Sequence, residues 1–110
     1  MRRLILIAAV VAMAAVPAVS ALAASPTKTV KLGNYFYKPK TMTITRGTKV
    51  TWVWDTFGIK HNVAVKSGPS GFRSHVLGSG SYSHTFGKKG TYHIYCTLHP
   101  TLMTETIVVK

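Results

Sequence analysis

Acidic residues are almost missing from this chain. Asp55 and Glu105 are the only two in 110 residues, against 14 lysines and arginines, and the formal charge is +12. Cysteine occurs once, at Cys96, so no intrachain disulfide can form. The absence of a Cys-x-x-Cys-His segment excludes a covalently attached haem. Beyond the first stretch, no segment carries helical periodicity. There is no internal repeat, no second domain and no nucleic-acid-binding motif. The one long apolar run, Leu4 to Val16, is short for a membrane span of ~20 residues.

That run has the flanks of an export signal. Met1-Arg2-Arg3 is positive, Pro17 follows the apolar segment, and Ala21-Leu22-Ala23 offers small residues for cleavage. A secretory signal peptide is expected over residues 1–23, cut near Ala23 or Ala24, with one domain over 25–110. A retained membrane anchor is the alternative. Export places the domain in a periplasm or outside the cell. Exported small domains use cysteines in pairs. A lone Cys96 therefore needs another role: an intermolecular bridge, a reactive thiol or a metal thiolate. Without Arg2 and Arg3, twelve basic residues still face two acids. Such a charge attracts acidic proteins or an anionic membrane surface, or simply keeps the domain soluble. An exported domain has little occasion to meet nucleic acid.

From Ser25 onward the apolar positions alternate. Val30 and Leu32 share a face; so do Met42 and Ile44, and Val50, Trp52 and Trp54. A short strand is expected over Asn62–Val65, and further strands over Ser81–Phe86, Thr91–Cys96 and Thr106–Val109. Gly33-Asn34, Arg46-Gly47 and Gly87-Lys88-Lys89-Gly90 read as turns, and Lys66 to Gly80 as a long loop. About eight short strands bounded by turn residues predict an all-β, antiparallel sandwich or barrel.

Chemistry concentrates in Tyr95-Cys96-Thr97-Leu98-His99-Pro100-Thr101-Leu102-Met103. Thiolate, imidazole and thioether within eight positions form a donor set for copper: soft sulfur ligands select it, and imidazole suits several first-row metals. A histidine from elsewhere would complete the set. His61 follows a loop and starts a strand, which suits a side chain at a sheet end. His75 lies in a Gly/Ser-rich loop, His84 lies mid-strand, and His93 faces away from Cys96 because their spacing is odd. A Cys–His nucleophile is conceivable, but no third group to orient it is evident.

These segments resemble the cupredoxins. His61-Asn62-Val63, the Cys96–Met103 segment, Phe36-Tyr37-Lys38-Pro39, Met42 to Trp52, and Ser81 to Phe86 with Gly90-Thr91-Tyr92 are similar to the plastocyanin, amicyanin and pseudoazurin branch. The resemblance covers Thr27 to Val109. It implies a Greek-key β-sandwich with one type 1 copper, held by His61, Cys96 and His99 with Met103 axial. It also implies that Asn62 ties the two ligand loops together. Three residues separate His99 from Met103, where the family usually has two or four, and Glu105 stands where glycine is common.

The function implied is a one-electron carrier, not an enzyme, passing electrons between redox proteins such as a cytochrome, oxidase or reductase. It is expected to act as a monomer. A copper-binding module for storage, delivery or sensing is the alternative. His99, flanked by Leu98 and Pro100, is the expected electron port, and lysines around it would steer partners with acidic surfaces.

Overall fold

The alternating apolar positions become eight strands in a computed structural model that describes residues 25–110. The expected signal peptide over 1–23 lies outside the described residues. The strands are β1 (Thr27–Gly33), β2 (Phe36–Lys38), β3 (Thr41–Ile44), β4 (Lys49–Trp54), β5 (Ala64–Ser67), β6 (Ser81–Thr85), β7 (Gly90–Tyr95) and β8 (Thr104–Val109). They form two four-stranded sheets, ordered β2-β1-β4-β6 and β3-β8-β7-β5. The result is a Greek-key β-sandwich. Its core is what the period-two pattern demands: Val30 and Leu32 of β1, Val50, Trp52 and Trp54 of β4, Tyr92 and Ile94 of β7, and Ile107 and Val109 of β8 are buried.

The sheets are not purely antiparallel, as the strand pattern had suggested. β1 pairs parallel with β4, and β3 parallel with β8. The chain leaves the first sheet after β2, runs through β3 in the second, and re-enters beside β1 from the same end. This wiring gives the sandwich two distinct poles. β1, β4 and β7 finish at one of them, and β5, β6 and β8 begin there. The opposite pole holds the starts of β1, β4 and β7 and the ends of β3, β6 and β8.

The fifth strand starts later than expected, at Ala64 instead of Asn62. His61 is already committed to the returning loop: His61 N donates to Leu77 O at 3.0 Å and Leu77 N to His61 O at 2.9 Å. Val63 N donates to Ser74 Oγ at 2.8 Å, and Ser74 N to Val63 O at 2.7 Å. Residues 61–63 therefore pair away from β7, and only Ala64 onward joins its ladder.

Glu105 points into the core from β8 and is 2 % exposed. Trp52 Nε1 donates to its Oε1 at 2.9 Å, while Oε2 has no partner. Burial raises its pKa to about 8, against the opposing pull of the Trp52 bond. The other acid, Asp55, is on the surface, 2.7 Å from Lys31 Nζ. No acidic side chain is left free to offset the remaining basic residues.

Candidate metal centre

Cys96 follows the last residue of β7, and the chain returns as β8 at Thr104. The loop between them closes on itself. Cys96 N donates to Met103 O at 3.1 Å, His99 N to Cys96 O at 3.1 Å, and Met103 N to His99 O at 3.0 Å. These bonds accommodate the three-residue spacer Pro100-Thr101-Leu102 as a single wide turn. Cys96 and Met103 are fully buried in the core cluster, and His99 is half-buried.

His61 arrives from the β4–β5 loop, its backbone fixed by the Leu77 pairing and by Trp54 Nε1, which donates to His61 O at 3.2 Å. Its Nδ1 lies 3.9 Å from Cys96 Sγ, and its ring centroid 5.2 Å from that of His99. The other ring nitrogen, Nε2, is 2.7 Å from Asn34 Oδ1. The Asn34 amide nitrogen donates to Thr56 O at 3.0 Å, so its oxygen must face the ring. His61 Nε2 therefore carries the proton, and Nδ1 presents a lone pair toward Cys96. Burial, and secondarily the neighbouring His99, holds the His61 pKa below the ordinary imidazole range, which keeps this ring neutral.

Asn62 joins the two loops as expected. Its backbone N–H points at Cys96 Sγ from 3.5 Å. Its Oδ1 accepts from Thr97 N at 2.8 Å and Thr97 Oγ1 at 3.2 Å. Its backbone oxygen accepts from Tyr37 OH at 2.6 Å. Burial, then the nearby Cys96 and Glu105, pushes the Tyr37 phenol well above its usual range, so it stays a donor.

His61, Cys96, His99 and Met103 thus come to one pole from two loops. Among the described residues no three His, Cys, Asp or Glu side chains stand close enough together to hold a metal ion as they are placed. The other histidines are elsewhere. His75 and His93 are exposed, and His84 stacks on Phe72 with centroids 3.9 Å apart. The sequence marks Asn34 only as a turn residue and gives Tyr35 no role at the site. Tyr35 packs edge-on against both imidazoles, with centroids 5.5 Å from His61 and 4.7 Å from His99. Their place just after β1, at the pole where the ligand loops meet, was the available clue.

The rim of this pole is apolar. Phe57 is 95 % exposed at a left-handed φ of 51°, and Ile59, Leu98 and Leu102 are exposed as well. Of the lysines expected around His99, the loops of this pole carry Lys60. In the loops of this pole, residues 33–35, 55–63, 73–80 and 96–103, the charged side chains are Lys60, Arg73 and the ion-paired Asp55.

Comparison with known proteins agrees with this geometry. Residues 24–110 match the family described as copper binding proteins, plastocyanin/azurin family. The chain is 34% identical over 107 residues to the plastocyanin of Prochlorothrix hollandica, covering 86% of this chain and 77% of that one. A purple cupredoxin from Nitrosopumilus maritimus superposes with a TM-score of 0.66 at 27% identity, over 74% of this chain and 98% of the other. An oxidised methionine-to-leucine variant of amicyanin gives the same score and identity over 74% and 80% of the two chains. The copper-containing nitrite reductase of Thermus scotoductus matches with a TM-score of 0.68 at 32% identity, over 77% of this chain but only 22% of that enzyme. By sequence and by fold, the chain belongs to the plastocyanin/azurin family of copper binding proteins.

Proposed function

We propose that this protein is an exported one-electron carrier whose type 1 copper is held by His61 Nδ1, Cys96 Sγ and His99, with the Met103 thioether on the axis. The observation that carries this reading is the 3.9 Å approach of His61 Nδ1 to Cys96 Sγ across 35 positions of sequence, beside a loop that returns His99 and Met103 to the same pole. The donors fit the metal: two imidazoles with thiolate and thioether sulfur are a copper set. Copper bound there supplies a Cu(II)/Cu(I) couple.

The chain's own residues do the rest. Asn34 fixes the His61 tautomer, Asn62 and Thr97 brace one ligand loop against the other, and Tyr35 packs against both rings. Outer bonds of this kind hold donors in place when the charge at the centre changes. With every donor position supplied by protein, none is left open for a substrate, which favours a carrier over an enzyme. Half-buried His99, among exposed Leu98, Leu102 and Phe57, is the point where the centre meets a partner.

The partner is a redox protein. Net charge attracts acidic surfaces from a distance, but the contact face is apolar, with Lys60 and Arg73 as the cations of its loops. The export signal over residues 1–23 supports a periplasmic or extracellular site of action. The test is to add Cu(II) to the purified domain and record the visible spectrum, then mix the oxidised form with a reduced cytochrome. An intense thiolate absorption that bleaches and recovers without loss of copper is expected. Release of copper on reduction would favour delivery over electron transfer.

A further inference from the structure

Six of the twelve basic residues of 25–110 are gathered at the pole opposite the metal centre. Lys28 lies at the start of β1, Arg46 and Lys49 flank the β3–β4 turn, Lys88 and Lys89 form the β6–β7 turn, and Lys110 follows β8; all six are exposed. Backbone bonds hold these segments side by side. Arg46 N donates to Lys110 O at 2.9 Å, Gly47 N to Phe86 O at 2.7 Å, Phe86 N to Thr48 O at 3.0 Å, and Lys49 N to Pro26 O at 2.9 Å. Thr27 pairs with Lys49, and Gly90 with Val109. The cations therefore sit on one rigid end of the sandwich. No acid offsets them, since Asp55 is paired with Lys31 and Glu105 is buried in the core.

We propose that this basic pole docks on an anionic lipid bilayer and holds the domain with its metal pole facing away from the membrane. Two observations select a membrane over other anions. Six cations at one end of a small sandwich match the clustered basic patches that bind anionic headgroups, each contributing about 1 kcal/mol near the surface. The chain preceding Ser25, which contains the apolar run Leu4 to Val16, joins the domain at this same pole, where Pro26 is bonded to Lys49. Strands of six residues, at ~3.3 Å each, put the ligand loops nearly 20 Å from the basic pole. That is beyond the ~8 Å screening length, so lipid charge at one pole is only weakly felt at the other.

The test uses residues 25–110, which contain all eight strands and the buried core, in cosedimentation with vesicles. Phosphatidylcholine vesicles containing phosphatidylglycerol should bind the domain, and pure phosphatidylcholine vesicles should not. The double variant Lys88→Glu with Lys89→Glu should lose at least about thirtyfold in affinity, roughly fivefold for each cation removed and more for the anions introduced. A matched variant away from the pole, Lys38→Glu with Lys60→Glu, changes net charge equally and should lose about twofold at most. Far-UV circular dichroism checks that each variant is folded. Equal losses in the two variants, equal binding to neutral vesicles, or binding to heparin without binding to anionic vesicles would overturn the proposal.

Discussion

Asn34 Oδ1 lies 2.7 Å from His61 Nε2, and the same amide reaches Thr56 O with its nitrogen. One turn residue thereby sets which nitrogen of His61 faces Cys96. Asn34→Leu removes that bond without adding charge. Copper affinity should fall by about 10- to 100-fold, the usual cost of losing such a support. Competition with a chelator measures the affinity, and a change in the visible spectrum reports the altered ring. If both are unchanged, Asn34 does not position His61.

Cys96→Ser should abolish the intense visible absorption of the copper form and leave the sandwich folded. The hydroxyl is a hard donor with no thiolate to transfer charge. It can still accept from the Asn62 N–H that now points at sulfur. Visible spectra and far-UV circular dichroism on the same sample separate the two effects.

Met103→Leu tests the axial assignment. Met103 is fully buried, and leucine is close to it in volume, so the cost to the fold should stay below about 1.5 kcal/mol. Copper should remain bound, because the two imidazoles and the thiolate carry most of the affinity. The reduction potential should rise, since losing a donor disfavours Cu(II) more than Cu(I). Voltammetry showing no change would place another atom on the axis.

The port prediction follows from the apolar rim. Leu98→Asp should slow electron exchange with a redox partner by roughly tenfold, a typical loss at a central contact residue, without altering the visible spectrum. Lys88→Glu with Lys89→Glu should leave that rate nearly unchanged at physiological salt, because those charges lie more than a screening length away. Stopped-flow mixing with each variant decides between an apolar port and general charge steering.

His84 gives a pH dependence remote from the metal pole. It faces the rings of Phe72 and Phe86, and burial lowers its pKa from 6.5. A histidine depressed in the fold contributes stability that is present above its unfolded pKa. That contribution is lost as pH falls below about 6.5 and through the folded value. Thermal melts of the metal-free domain should therefore lose more stability below pH ~6 than melts of His84→Phe, which keeps the stack and cannot titrate. Parallel curves for the two proteins would show that the ring's protonation is not coupled to folding.

The alternating pattern made the strands legible because one face of each is buried: Val50, Trp52 and Trp54 all point inward. The gathering of His61 with Cys96 was legible because sulfur and imidazole donors are scarce in so short a chain. The pairing of β1 with β4 was not, since alternation says which face is buried but not which strand lies alongside. The late start of β5 was hidden for the same reason: the partners of His61 and Val63 lie in a loop without periodicity. The charge distribution was misread because a count of lysines carries no direction. Lys88 and Lys89 lie closer in sequence to His99 than Lys60 does, yet one strand carries them to the opposite end.

The closed ring from Cys96 to Met103 begins where the β7–β8 ladder stops, at the Tyr95–Thr104 pair. Its backbone bonds are internal, and it is tied to the His61 loop through Asn62, which meets both Cys96 Sγ and Thr97. Exchanging residues of the spacer Pro100-Thr101-Leu102 should therefore leave the register of both strands in place. The segment behaves as an interchangeable part. The sandwich fixes where Cys96 and His61 stand, and the few residues of the ring set how His99 and Met103 approach them.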